Sequence, residues 1–132
     1  MKIELNKDNR IKRSENHEIM SEINNRISIK IRDEFQLEIS SYRAENENLF
    51  KEEKDFFKQV QELLKTVTPS TKLKVCTQVG KGSTVLHTYT GHIEKEVGFN
   101  PSYFNFISEE RNNDLKPFTI GFSCLQSIEV IN

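Results

Sequence analysis

Residues 35–70 read FQLEISSYRAENENLFKEEKDFFKQVQELLKTVTPS, and this stretch decides the fold. From Phe35 a spacing of four residues, then three, runs unbroken through Ile39, Tyr42, Asn46, Leu49, Glu53, Phe56, Val60, Leu63 and Val67. Eight of these ten positions are apolar. That spacing is the seam of a coiled coil or of a helical hairpin, because it returns apolar side chains to one face of a helix. Asn46 and Glu53 are the two polar members. They set the register against a neighbour, or mark where the seam is wet or the helix breaks.

Upstream the apolar spacing changes to every fourth residue, at Ile19, Ile23, Ile27, Ile31 and Phe35. A strict four-residue repeat drifts around a helix of 3.6 residues per turn, so this stripe winds across the surface. One long helix and two helices with a bend fit equally, and the least apolar stretch, Ser41 to Asn48, is the expected bend. Ser14, Asn16 or Ser21 could cap a helix that begins before Ile19. Arg26 to Arg32 also alternates with period two, and its β-branched Ile suits a short strand.

Downstream the composition changes. All five Gly and all three Pro fall after Thr68. Helix breakers and turn formers are thus confined to one half, and the chain divides into a coiled-coil-like helical region, 1–68, and a small all-β domain, 69–132. The second half reads as strands at Leu73–Val79, Thr84 to about Val97, Tyr103–Glu109, Phe118–Phe122 and Ser127–Ile131. Gly80-Lys81-Gly82-Ser83 is a hairpin turn, Ser123 to Gln126 a one-turn connection. Gly91 within the long strand signals a bulge or sharp bend. The expected fold is α+β: a long N-terminal helix or helical hairpin, then a five-stranded antiparallel SH3-like or Sm-like small barrel, or else a curved antiparallel sheet. The helical half would cover its open side.

Net charge is −1 with 30% charged residues, so no global basic field favours nucleic acid. The exception is Lys2 to Arg13, where Lys2, Lys7, Arg10, Lys12 and Arg13 face only Glu4 and Asp8. Such an arm can be a phosphate contact, but more often it is a frayed, solvated terminus. The 13 Ile, 13 Lys and 12 Asn against a single Ala match an AT-rich genome. No signal peptide or membrane span is apparent, and Cys76 and Cys124 read as buried, reduced thiols of a cytoplasmic protein.

Candidate chemistry is thin. Gly80-Lys81-Gly82-Ser83-Thr84 lacks the upstream glycine and the following helix of a phosphate-binding loop. Cys76, His87, His92 and Cys124 lack zinc-knuckle spacing, and His87 and His92 fall on opposite faces of a regular strand, so no metal is expected. Cys124, His87 and Glu129 could be named as a triad, but nothing in their spacing supports one, and Glu109-Glu110 sits in a turn. No catalysis and no cofactor are expected.

The stretch Tyr89-Thr90-Gly91-His92-Ile93-Glu94, the run Phe104-Asn105-Phe106-Ile107 and the ending Lys116 to Ile131 resemble the YolD-like family. These are small proteins of low-GC Gram-positive bacteria and their phages, with helices preceding a small β domain. The family ending, a strand followed by F-x-D-I and I-x-x-I, is departed from at Cys124, where an acidic residue is usual. The resemblance covers about 45 residues, from Tyr89 to Ile131, and implies no catalytic residues. Some members lie beside genes for lesion-bypass polymerases, which implies a regulatory binding role.

The leading expectation is a non-enzymatic regulatory or adaptor module, bacterial or phage-encoded. It would bind a protein partner, or a second copy, through the helical face of Phe35, Ile39, Tyr42, Leu49, Phe56, Val60 and Leu63. A second reading is a phage-encoded, anti-CRISPR-like inhibitor of a host defence complex. A third is a single-stranded nucleic-acid binder, for which Tyr89, Phe99, Tyr103, Phe104 and Phe106 provide rings and Tyr89, Tyr103 and Phe106 the candidate stacking face; it is disfavoured because few basic residues lie nearby and core packing explains most of the Phe better. No membrane partner is expected.

Overall fold

The seam of residues 35–67 is carried by one helix. The computed structural model of the chain describes residues 2–26, 32–79, 84–99, 101–109 and 116–131. Helix α1 spans Asn9–Arg26 and α2 spans Arg32–Thr66. They run antiparallel, since the Asn9 side chain donates to the Leu49 carbonyl at 2.9 Å while Asn16, two turns on, donates to Asn46 Oδ1 at 3.1 Å. The helical half is therefore a hairpin. The expected bend at Ser41–Asn48 is not there, and α2 passes straight through it. Low apolarity does not break a helix when no Gly or Pro is present and the polar groups have partners. α1 ends at Arg26 and α2 begins at Arg32, so the strand alternative for that segment lies mostly outside the described residues.

α1 begins earlier than its Ile pattern suggests. Asn6 makes the entry turn, accepting from Asp8 N–H on its side chain at 3.0 Å and from Asn9 N–H on its carbonyl at 3.0 Å. Ser14 and Asn16 are thus interior positions rather than caps.

The remaining described residues form one antiparallel sheet of six strands in the order β1-β6-β2-β3-β4-β5. They are β1 (Lys2–Glu4), β2 (Leu73–Gln78), β3 (Leu86–Ile93), β4 (Tyr103–Ser108), β5 (Phe118–Gly121) and β6 (Leu125–Val130). A 3-10 turn, Phe122–Cys124, links the last two. The expected five-stranded SH3-like or Sm-like barrel is corrected on two counts: the sheet has a sixth strand, and it does not close. The sixth strand is the segment read as a solvated arm. Ile3 and Leu5 are buried while Lys2 and Glu4 are exposed, the alternation of a half-covered strand, and Ile3 pairs with Ile128.

A sheet with one apolar face needs a cover, and α2 supplies it. Phe56, Val60, Leu63, Leu64 and Val67 share one core with Leu73, Val75, Ile93, Phe104, Phe106, Ile120, Phe122, Leu125 and Ile128. Each such side chain stabilises the fold by about 1.5–3 kcal/mol on full burial.

Gly91 is the pivot of the sheet. It is opposite Leu73 of β2 and Ser108 of β4, so β3 changes partner at this residue. A Cβ added here would overlap the Ile107 carbonyl oxygen. Close backbone approach is the reason for glycine in this strand.

Candidate functional site

The polar seam residues explain themselves across the hairpin. The Arg10 side chain is 2% exposed and its guanidinium enters where α1, α2 and the sheet meet. Its Nε donates to Glu53 at 2.7 Å, and its terminal nitrogens donate to Gln78 Oε1, the Leu125 carbonyl and the Phe122 carbonyl, each at 2.9 Å. Arg13 reaches the other Glu53 oxygen at 2.8 Å and lies 3.9 Å over the Phe50 ring. Burial alone would raise the Glu53 carboxyl, but the hydrogen bonds and positive charge of Arg10 and Arg13 outweigh it and hold the group below its ordinary value. Asn46 accepts from Asn16 and donates to the Arg13 carbonyl at 3.3 Å. Two members of the expected basic arm are thus an internal clamp that fixes the hairpin on the sheet. Nothing in it points outward as a phosphate contact.

The seam proposed as an interaction face is largely occupied by the chain itself. Ile39, Phe56, Val60 and Leu63 are buried, and Tyr42 and Leu49 are half-buried. The side chain of Phe35 lies outside the described residues. The aromatic set is divided as well. Phe106 is buried in the core, and its ring meets Phe118 at 5.9 Å, which in turn meets half-buried Tyr89 at 5.2 Å. Tyr103 is on the opposite face of β4 from Phe104 and Phe106, and is 57% exposed. The three residues therefore do not form one stacking platform.

The exposed aromatic surface lies at the connection from β3 to β4. There residues 95–99 and 101–105 bound a cleft of about 360 Å³. Phe99 stands on its wall, 88% exposed, with Tyr103 beside it at the start of β4. This connection is tied down from three sides. Gln61 of α2 donates to the Pro101 carbonyl at 2.9 Å, Phe122 N–H donates to the Ser102 carbonyl at 3.0 Å, and Glu94 N–H donates to the Asn105 carbonyl at 2.9 Å. Lys65 of α2 lies 6.0 Å from the Phe99 ring centroid. The Phe99 ring is turned to solvent and adds little to the core, while the residues that follow it are held by α2 and the sheet. Sequence reasoning gave Phe99 only as one ring among several near the turn; its signal was the setting Gly98-Phe99-Asn100-Pro101, a bulky apolar residue between turn formers.

The remaining reactive groups are apart or engaged. Cys76 and Cys124 are unbridged and half-buried. His87 stacks on Tyr89 with centroids 6.3 Å apart, and His92 Nδ1 lies 3.0 Å from the Ile93 carbonyl. Among the described residues no three His, Cys, Asp or Glu are grouped to hold a metal ion, and no helix is long and apolar enough to cross a membrane. Comparison with known proteins finds no family model, no curated protein and no solved structure that matches this chain.

Proposed function

We propose that this chain is a non-enzymatic adaptor or regulatory module of the cytoplasm that grips a protein partner through the Phe99–Tyr103 cleft. One observation carries the reading: Phe99 is 88% exposed on a connection anchored to both α2 and the sheet. An exposed Phe brings no folding stability, and an anchored loop loses little further entropy on binding, so a partner that covers the ring gains most of its burial energy. Aromatic anchors of this kind concentrate binding energy at interfaces. The resemblance of residues 89–131 to YolD-like proteins points the same way, since it implies binding and no catalytic residues. The charges on the cleft rim, Lys95 and Glu96, are of mixed sign, which favours a protein over a nucleic-acid strand.

The test is capture from a low-GC Gram-positive lysate with wild-type chain and with a Phe99→Ser, Tyr103→Ser double variant, each with and without nuclease. The proposal expects a protein that survives nuclease and whose retention falls roughly 30-fold with the double variant. Capture unaffected by the two substitutions, or abolished by nuclease, would count against it.

A further inference from the structure

β1 is at one end of the strand order, so one side of it is an edge of the sheet. Leu5 N–H donates to the Gln126 carbonyl at 3.0 Å, and the register pairs Ile3 with Ile128. Backbone groups alternate in direction along a strand, so residues 3 and 5 face β6 and the N–H and C=O groups of Lys2 and Glu4 face outward. The Lys2 and Glu4 side chains are exposed and pair with each other at 3.3 Å.

We propose that this edge docks a second copy of the chain, joining β1 to β1 of its mate in antiparallel register centred on Ile3. In that register Lys2 is opposite Glu4 of the second copy, and Glu4 is opposite its Lys2. The outward backbone groups of these two residues then meet as hydrogen-bonded pairs, and Ile3 meets Ile3 as the non-hydrogen-bonded pair between them. Backbone direction and charge agree on this single register. A lone edge lysine would repel its copy and discourage pairing. The sequence Lys2-Ile3-Glu4 is instead complementary to its own reverse, and opposite charges directly across an antiparallel pair are favourable.

The groove beside the edge supports the same occupant. A hollow of about 610 Å³ lies between β1 and α2, with Ile3 at one side and Leu63 and Thr66 at the other. The two-fold axis of such a pair is perpendicular to the sheet, so both copies keep α2 on the same side and their grooves face one another across the new seam. β5, the opposite edge, holds no charged residue from Phe118 to Gly121 and offers no such self-match.

The experiment is sedimentation equilibrium on the full chain from about 10 to about 500 µM at low salt, a range suited to a small interface. The expected result is a monomer–dimer equilibrium. Lys2→Glu and Glu4→Lys alone each weaken it about tenfold or more, because like charges then oppose one another. The Lys2→Glu, Glu4→Lys double variant restores it. An equimolar mixture of the two single variants forms a heterodimer, with all-acidic β1 against all-basic β1. Far-UV circular dichroism confirms that each variant is folded, as exposed side chains permit. A wild-type chain that stays monomeric throughout overturns the proposal. So do a dimer indifferent to the single reversals and a double variant that fails to recover.

Discussion

Arg10→Met removes the centre of the clamp while keeping most of the side-chain volume. Four hydrogen bonds go with the guanidinium: those to Glu53, Gln78 and the carbonyls of Phe122 and Leu125. Bonds to a charged group contribute roughly 1.5–3 kcal/mol each, but those sharing one guanidinium are not additive. Glu53 keeps Arg13 at 2.8 Å, so its charge is not left bare. Breaking one side of a buried ion pair costs about 3–5 kcal/mol, and that is the expected loss. With a urea slope of about 2 kcal/mol per molar, the midpoint falls by about 2 M. The assay is urea unfolding followed at 222 nm, with Lys12→Met as the control. Lys12 belongs to the same basic segment, but its contact with Glu45 is 3.9 Å and both side chains are well exposed. Its replacement should change stability by no more than about 0.5 kcal/mol. If the two variants shift the midpoint equally, or Arg10→Met shifts it by less than about 0.5 M, the clamp does not hold the hairpin as described.

Glu53 makes stability depend on acid. Its folded carboxyl sits below the ordinary value, so its contribution is complete above that value and is lost as pH falls through the folded one. Wild type should therefore lose more stability than Glu53→Gln between about pH 5 and about pH 3, measured by denaturant melts at each pH. Gly91→Ala drives a methyl group into the Ile107 carbonyl and should cost at least about 2 kcal/mol; a neutral result in thermal melts would refute the close approach. Phe106→Ala should destabilise by about 3–5 kcal/mol, against less than about 1 kcal/mol for Tyr103→Ala, because only the first ring is buried. Equal melting losses would contradict the placement of these rings on opposite faces.

The elements that local pattern specifies were legible. The alternation at Leu73–Gln78 and Phe118–Gly121 and the helical seam around Phe56, Val60 and Leu63 state their periods within a few residues. β1 was not, because three residues carry too little alternation, and its pairing with Ile128 is decided more than a hundred positions away. Arg10 looked like any surface cation. The hint lay on the other helix: a carboxylate at Glu53, within an otherwise apolar seam, implies a cation facing it, and α1 holds the cations that match. Ser41 to Asn48 misled for the converse reason, as polarity there reflects a hairpin neighbour rather than a bend. The candidate cleft was least legible. Gln61 and Phe122 hold the residues just after Phe99, at Pro101 and Ser102, and neither contact has a local sequence signature.

The strand order also sets the timetable of folding. β6 lies between β1 and β2, so the last strand of the chain completes both neighbours at once. Until Leu125–Val130 emerges during synthesis, Ile3 has no ladder to join and Arg10 lacks the Leu125 carbonyl. The helical hairpin can form early from local contacts and β2–β5 can pack on it, but the core then still lacks Leu125 and Ile128. Closing a loop that spans nearly the whole chain belongs to the slower class of folding reactions. A nascent chain stalled before residue 125 therefore leaves β2 as an open sheet edge with Ile3 unpaired, the state in which a chaperone would meet it.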